Sequence, residues 1–288
     1  MNTAPPLSHI VAYYGKRIAC HLLQGKVFYH FFSGLLGLLF YSATPNIAHA
    51  VIVTTLPPLA GLVSMLDEKA KIYCLLPPGA DAHNFQLTPR QVQQIKHANL
   101  LLRASRDDGH WPGLSMAAQQ LDLWPKKDHA WLLPSEVRRI LPLLAKKLQD
   151  IAPQRRQSIT QSLRRALRIC DDLETAWKQA LAPLQQRGVI MQHPAWRRLC
   201  EYFKVPVRAV LEPRHHGSIR PRQLEHALNF LRTHTGVVLW GSLHHPNRGL
   251  VWLSRHSDRR DILRFDALGN CNMTWNQLMR WNIKQVPS

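Results

Sequence analysis

The sequence predicts an α/β fold with two lobes of mainly parallel sheet joined by one long backbone helix. Short apolar segments with the composition of strands alternate with segments of helical periodicity, a pattern typical of parallel sheets with crossover helices. One long helical segment interrupts this alternation near the middle of the chain. With 288 residues, the chain is long enough for two domains that each have a core.

The predicted strands and helices follow one another in a regular order. The strands are Val51 to Thr54, Lys71 to Leu76, Asn99 to Leu102, Gly188 to Met191, Val205 to Val210, Gly236 to Trp240, Leu250 to Leu253 and Asp261 to Phe265. Helical patterns lie between many of them, including Pro89 to His97, Ser135 to Asp150 and Arg220 to Leu231. Because a helix between two strands lets both run in the same direction, we expect largely parallel sheets.

The interrupting helix is predicted from Gln154 to Gln186, and Arg187-Gly188 ends it. Its apolar residues recur every three or four positions in one stripe: Ile159, Leu163, Ala166, Leu167, Cys170, Leu173, Trp177, Ala180, Leu181 and Leu184. At 1.5 Å per residue the helix would be about 50 Å long, enough to connect two lobes rigidly. We therefore divide the chain into a leader at 1–50, a first lobe at 51–150, the linking helix at 151–187 and a second lobe at 188–288.

The first fifty residues have the layout of a signal peptide. Lys16, Arg17 and Lys26 are the only charged side chains there, and an apolar run from Phe31 to Tyr41 leads to the small-x-small sequence Ala48-His49-Ala50. A membrane anchor is the competing interpretation, but the run is shorter than the roughly 20 residues that span a bilayer. We expect cleavage after Ala50 and a periplasmic protein, with an uncleaved, tethered form as the alternative.

Four cysteines follow the leader: Cys74, Cys170, Cys200 and Cys271. An even number in an exported protein is compatible with a disulfide that persists in an oxidising compartment, and the sequence leaves the pairing open. No spacing among them is typical of a zinc knuckle or a redox pair.

The chain is strongly basic. Loss of the leader takes three positive charges and no negative ones from the formal +19, which leaves +16. The basic pairs, such as Arg138-Arg139 and Arg197-Arg198, are scattered rather than gathered in one stripe, which argues against a nucleic-acid partner. Solvated helix faces or a weak attraction to an anionic membrane surface explain the charge better.

Four candidate functional residues lie where a cleft would form. His83 follows the second predicted strand in a loop rich in proline and glycine, His193 follows the fourth strand after two residues, and Asp266 directly follows the last strand. His129 precedes a predicted helix. Because ligands of open α/β sheets bind outside the carboxyl ends of the strands, we expect these side chains to face one cleft between the lobes.

Several segments carry a family resemblance, and they occur in order along the chain after the leader: Pro77 to Pro89, Ile95 to Leu101, His129 to Pro134, His193 to Trp196 and Phe265 to Gly269. The sequence resembles the metal-binding solute-binding proteins of ABC importers, and within them the zinc-uptake branch. The resemblance implies two α/β lobes joined by a long helix, with a transition-metal ion bound between the lobes. It also implies a monomeric periplasmic receptor without catalysis that passes its ion to an ABC permease in the inner membrane.

The resemblance assigns the metal ligands residue by residue. It makes His83, His129 and His193 imidazole ligands and Asp266 the carboxylate ligand. Three neutral imidazoles and one carboxylate suit Zn²⁺, whereas hard ions prefer mostly oxygen. The manganese branch typically has a carboxylate where this chain has His193, which favours zinc. Manganese and iron remain the alternatives, because cavity geometry and metal availability also determine selectivity.

The chain departs from the family pattern at several points. Pro194 stands where the residue after the third ligand is usually acidic, and the segment from Ser105 to Asp128 lacks the usual histidine-rich loop. His215-His216 and His244-His245 are predicted to be exposed loop residues rather than an auxiliary metal site. Neighbouring Arg214 and Arg248 would repel a cation there.

Two other functions compete with the zinc receptor. A degenerate paralogue that binds metal weakly is suggested by Pro194 and the high basicity. A zinc hydrolase would also use three protein ligands, but it needs a general base, and the sequence contains no His-Glu-x-x-His helix.

Overall fold

The structure, a computed structural model, describes residues 50–104, 111–212, 219–258 and 261–287. Apart from Ala50, the predicted leader lies outside these ranges, and so does His215-His216. The first lobe contains a sheet of strands β1 to β4, at Val51–Thr54, Lys71–Cys74, Leu100–Arg103 and Gln120–Asp122. Its strands pair in the order β2-β1-β3-β4, and every pair is parallel. Helices α1 at Pro57–Leu66 and α2 at Pro89–Lys96 follow β1 and β2.

The second lobe repeats this topology. Strands β5 to β8, at Val189–Met191, Val207–Val210, Val238–Ser242 and Ile262–Phe265, pair in parallel in the order β6-β5-β7-β8. Its helices are α6 at Arg197–Tyr202, α7 at Pro221–Thr233 and α8 at Arg248–His256, and a last helix, α9 at Trp275–Ile283, follows β8. The predicted α/β class with two mainly parallel sheets is therefore confirmed.

The connection between the sheets consists of α3 at Pro134–Ile151, α4 at Arg156–Leu181 and the short α5 at Leu184–Arg187. The predicted long helix is thus shorter than expected. At 26 residues, α4 is about 39 Å long. Pro183 ends it, because proline has no amide hydrogen to donate and its ring clashes with the carbonyl of the preceding turn. The buried side of α4 follows the predicted stripe and includes Cys170, Leu173 and Trp177.

Two elements differ from the sequence prediction. Leu250 to Leu253, predicted as a strand, belongs to helix α8, which buries Gly249, Leu250 and Leu253. A four-residue apolar run has too few positions to separate a period of 2 from a period of 3.6. Strand β4 was not predicted, because Gln120-Leu121-Asp122 carries a single apolar residue between two polar ones.

The largest hydrophobic core runs through both lobes. It contains Leu101 of β3, Trp177 of α4, and Met191 and Trp240 of the second sheet. A smaller core lies on the other face of the second sheet, where Ile190 and other strand residues meet α7 and α8. Because one core is continuous through α4, the two lobes bury apolar surface against each other as well as within themselves.

The C-terminal segment returns to the first lobe. Helix α9 packs against α1 and α4. A Cβ atom on Gly61 of α1 would lie 2.6 Å from the amide nitrogen of Trp275, so only glycine allows this approach. Just before α9, Cys271 forms a disulfide with Cys74 at the end of β2. The sequence had left this pairing open, and the structure shows that it joins the C-terminal segment to the first sheet.

Two tryptophan hydrogen bonds strengthen the same junction. The indole N–H of Trp131 donates to the carbonyl of Ala267 at 2.7 Å, and the indole N–H of Trp275 donates to the carbonyl of Trp131 at 2.7 Å. All three residues are buried, so both bonds are shielded from water. Within the described ranges, no helix has the length and apolar character needed to cross a bilayer.

Candidate metal centre

The His83 loop is held on both sides of the histidine. The carboxylate of Asp81 accepts hydrogen bonds from the backbone amide of His83 at 2.9 Å and from the side-chain amide of Asn84 at 2.7 Å. The indole N–H of Trp111 donates to the carbonyl of Ala82 at 2.8 Å. These bonds hold the backbone that carries the His83 imidazole in place.

Asp81 also brings a negative charge to this loop. Burial raises the pKa of the Asp81 carboxyl. Hydrogen bonds from the His83 amide and the Asn84 side chain, together with the nearby charges of His245 and His83, lower it by more than burial raises it, so the pKa is lowered overall. Asp81 is therefore ionised at neutral pH, a charge that favours a cation close to it.

His129 enters the site from an unusual backbone conformation. Its φ is +50° and ψ is 26°, in the left-handed region, just before a 3₁₀ turn at Ala130–Leu132 and helix α3. Its carbonyl accepts a hydrogen bond from the amide of Leu132 at 3.1 Å. The residue is only 7% exposed. A buried histidine in a sparsely populated conformation is typical of a functional position.

His193 and His245 come from neighbouring strand ends of the second sheet. His193 follows β5 and His245 follows β7, and these two strands pair with each other. In the order β6-β5-β7-β8, the chain adds β6 on one side of β5 and then β7 on the other side. Open parallel sheets form their binding crevice at such a switch point, here between β5 and β7. The two rings stack with centres 4.5 Å apart and planes inclined by 19°.

Four imidazoles converge at this place. The ring centre of His83 lies 5.6 Å from that of His193, 5.9 Å from that of His245 and 6.3 Å from that of His129. The rings of His129 and His193 are 5.2 Å apart. Four imidazoles placed tetrahedrally around one ion at Zn–N distances of about 2.0–2.1 Å would have ring centres about 5 Å apart. The observed spacings, from 4.5 to 6.3 Å, lie around this value.

The candidate ligand atoms of three of these residues are already close. One ring nitrogen each from His83, His193 and His245 lies within 4.8 Å of the other two. The cavity beside them has a volume of about 20 Å³ and is lined by Asp81, Ala82, His83, His129, Trp131, Ala195, Ser242, His244, His245, Ala267 and Leu268. A cavity of this size holds one water-sized occupant.

Asp266 directly follows β8, and one oxygen of its carboxylate, Oδ1, is engaged in hydrogen bonds. Its Oδ1 is 2.6 Å from Nε2 of His244 and accepts hydrogen bonds from the backbone amides of Leu268 at 2.9 Å and Gly269 at 2.6 Å. Burial raises the pKa of this carboxyl, and the hydrogen bonds from His244 and the Gly269 amide outweigh that effect, so the pKa is lowered overall. Asp266 as a metal ligand stays a prediction.

The prediction that His244-His245 is exposed was wrong, because both residues are half-buried and line the cavity. The adjacent Arg248 had argued against a cation site, yet it is exposed on the first turn of α8. A signal was available in the sequence. The pair follows a predicted strand at its carboxyl end, as His193 and Asp266 do, and that rule applied to it equally.

Two parallel α/β lobes packed on one long helix, with imidazoles gathered at facing loops, define a metal-binding solute-binding protein of the kind that serves ABC importers. Residues 52–287 match the family model of ZnuA, described as the zinc-uptake complex component A, periplasmic. The chain belongs to this family, which confirms the resemblance seen in the sequence.

Individual relatives are distant in sequence and close in fold. A putative metal-binding protein of Chlamydia muridarum is 20% identical over 207 residues, which is 65% of this chain and 75% of the relative. A crystal structure of ZnuA is 18% identical, with a TM-score of 0.71 over 82% of this chain and 97% of that one. The solute-binding protein FpvC of Pseudomonas aeruginosa, in complex with Ni²⁺, is 19% identical, with a TM-score of 0.66 over 83% and 97%.

Proposed function

We propose that this protein is a periplasmic, high-affinity zinc receptor that delivers Zn²⁺ to the permease of an ABC importer. The observation that carries the proposal is the convergence of His83, His129 and His193, from three separate segments, with ring centres 5.2–6.3 Å apart. Imidazole nitrogen is a favoured ligand of zinc, and family membership supports the transport role.

The nitrogen-rich ligand set supports zinc over manganese. Mn²⁺ prefers carboxylate, carbonyl and water oxygens, whereas imidazole suits Zn²⁺ and Ni²⁺. Structures of FpvC hold Ni²⁺ in one case and Mn²⁺ in another, so the fold alone does not select the ion. Selectivity in this chain therefore depends on the side chains at the cavity.

Two features of the chain support export to the periplasm, the predicted signal peptide and the disulfide. The predicted signal peptide, with cleavage after Ala50, would direct the protein out of the cytoplasm. The Cys74–Cys271 disulfide is of the kind that persists in an oxidising compartment. We propose a monomer in the periplasm that meets its permease at the inner membrane.

A binding role fits the cavity better than catalysis. A volume of about 20 Å³ accommodates an ion or one water, but an ester or phosphate substrate would need a cleft of some hundreds of cubic ångströms. We therefore propose that the bound metal is cargo and that the protein has no reaction of its own.

Thermal unfolding with and without metal tests the proposal. A ligand that binds only the folded state at 100 times its Kd stabilises it by about 2.7 kcal/mol, so Zn²⁺ should raise the Tm clearly. His83→Ala should lose most of this shift. His226→Ala, at an exposed position of α7, is the matched control and should keep it. No shift of the wild type with Zn²⁺ would exclude the proposal, and a larger shift with Mn²⁺ would exclude zinc as its cargo.

A further inference from the structure

We propose that His245 is the fourth metal ligand. Asp266 does not bind the metal in this proposal; it holds the His244-His245 loop in place through its contact with His244. This inference rests on the proposed metal-binding function and names the group that completes the site. The resulting donor set consists of four imidazoles, from His83, His129, His193 and His245.

The position of His245 relative to the other imidazoles is the first argument. Its ring nitrogen belongs to the group of three that lie within 4.8 Å of one another, and its ring stacks on His193 at 4.5 Å. The carboxylate of Asp81 lines the same cavity. A cation in this cavity would lie close to the negative charge of Asp81 and among the imidazole nitrogens. These nitrogens can complete its coordination without a further protein ligand.

The loop that carries His245 is the second argument. The side chain of Asn247 closes this loop, since its Oδ1 accepts from the amide of Ser242 at 2.9 Å and its Nδ2 donates to the carbonyl of Ser242 at 2.8 Å. The backbone amide of His244 donates to the hydroxyl of Ser242 at 3.1 Å. A Cβ on Gly241 would lie 2.8 Å from Oδ1 of Asn247, so the loop needs glycine there. The geometry that presents His245 is therefore built into the fold.

The hydrogen bonds of Asp266 are the third argument. Its Oδ1 interacts with His244 and two backbone amides, and its backbone forms two further bonds with Asn282, each of 2.7 Å. These three donors already saturate Oδ1, so a metal ion could reach this carboxylate only through Oδ2. The same bonds make Asp266 well suited to fix His244, the residue next to His245.

A four-imidazole set has a consequence for selectivity. Replacement of a carboxylate oxygen by a nitrogen makes the site softer, which disfavours Mn²⁺ relative to Zn²⁺. It also leaves the site without a negatively charged ligand, so the nearby carboxylates of Asp81 and Asp266 would balance the charge of the ion from outside its coordination shell.

Metal affinity of single variants tests the assignment. Competition titrations with a chromogenic chelator should show that His245→Ala loses more than 100-fold in Zn²⁺ affinity, whereas Asp266→Asn loses about 10- to 100-fold, as is typical of a partner behind a ligand. His226→Ala should bind as the wild type does. Melting curves without metal identify any variant that fails to fold. If His245→Ala fails to fold, His245→Gln, which keeps most of the side-chain volume, replaces it.

X-ray absorption on the zinc-loaded proteins counts the imidazoles directly. The inference requires four imidazoles in the wild type and in Asp266→Asn, and three in His245→Ala. Three imidazoles and one carboxylate in the wild type, with unchanged affinity in His245→Ala, would overturn it while leaving the proposed receptor function intact. A wild type that binds no transition metal would overturn both.

Discussion

Two cysteine thiols are buried in chemically quiet surroundings. Cys170 lies in the apolar stripe of α4, and Cys200 is buried in α6. Burial raises the pKa of the Cys170 thiol to about 12, with a smaller contribution from the charge of Asp171, and burial raises the pKa of Cys200 as well. Both thiols pack as small apolar side chains, and neither is suited to bind metal or form a disulfide in the folded protein.

Thiol labelling measures this directly. In a Cys20→Ser protein at pH 8, a pKa of about 12 leaves roughly one thiolate in 10⁴ at Cys170, so Ellman's reagent should react very slowly with both residues in the folded state. Two thiols should react promptly after unfolding in urea. Rapid labelling of the native protein would show that these residues are accessible, contrary to their burial.

The four histidines of the site differ in how readily the sequence alone identifies them as metal ligands. His83, His129 and His193 could be selected because each lies in a segment with its own motif. His245 also follows a predicted strand at its carboxyl end, but the neighbouring Arg248 led to the prediction of an exposed loop instead. Its closeness to His193 depends on β7 pairing with β5, and such pairing between distant segments leaves no local mark in the sequence.

At the level of elements, the start of α3 contains a charged cluster. Glu136 is in the first turn of the helix, where a carboxylate interacts favourably with the helix dipole. It forms ion pairs with Lys127 and, at 2.8 Å, with Arg139. Burial raises the pKa of the Glu136 carboxyl, but hydrogen bonds from Lys127 and Arg139 more than compensate, and the pKa is lowered overall.

This shift predicts a pH-dependent contribution to stability. Because the folded-state pKa of Glu136 is below its ordinary value of 4.5, its contribution is present above that value and is lost as the pH falls through the folded-state pKa. Glu136→Gln should lower the free energy of unfolding by about 1 kcal/mol at pH 7 and by progressively less toward acid pH. Urea titrations at several pH values measure the difference.

The same substitution elsewhere supplies the control. Glu225→Gln changes an exposed glutamate of α7 and should have little effect at any pH. A difference between wild type and Glu136→Gln that grows toward acid pH would contradict the proposed role of the ion pairs.

Elements could be predicted from the sequence where their periodicity was long enough. The stripe on α4 repeats over many turns, and its buried side agrees with the prediction from Ile159 to Leu181. The run from Leu250 to Leu253 is too short for its period to be seen, and it forms a helix because that conformation buries Gly249, Leu250 and Leu253 together against the second sheet. Short buried elements take their conformation from tertiary packing.

For the molecule as a whole, the junction between lobes argues for small relative movements. The continuous core through α4, the two tryptophan hydrogen bonds at Trp131 and Trp275, and the close approach at Gly61 all connect the C-terminal segment to the first lobe. The sequence indicated a rigid connection through one helix. It gave no sign of this second connection, since the contacts join residues far apart in the chain.

Removal of the disulfide measures the strength of this connection. The Cys74→Ser/Cys271→Ser protein should lose about 2–5 kcal/mol in its free energy of unfolding, because the bond closes a long loop and restricts the unfolded chain. Urea denaturation gives the value, and the wild type in strong reductant should behave like the double variant. Equal stability of the oxidised wild type and the double variant would show that the noncovalent contacts suffice.

The Cys74–Cys271 bond also changes what a break in the main chain does. The two cysteines are 197 residues apart, so they enclose most of the described chain. A protease that cleaves anywhere between them produces two fragments that remain covalently attached. Nicked molecules therefore migrate as one species on a gel without reductant and separate only when the bond is reduced. The protein can lose the continuity of its backbone and still remain a single covalent molecule.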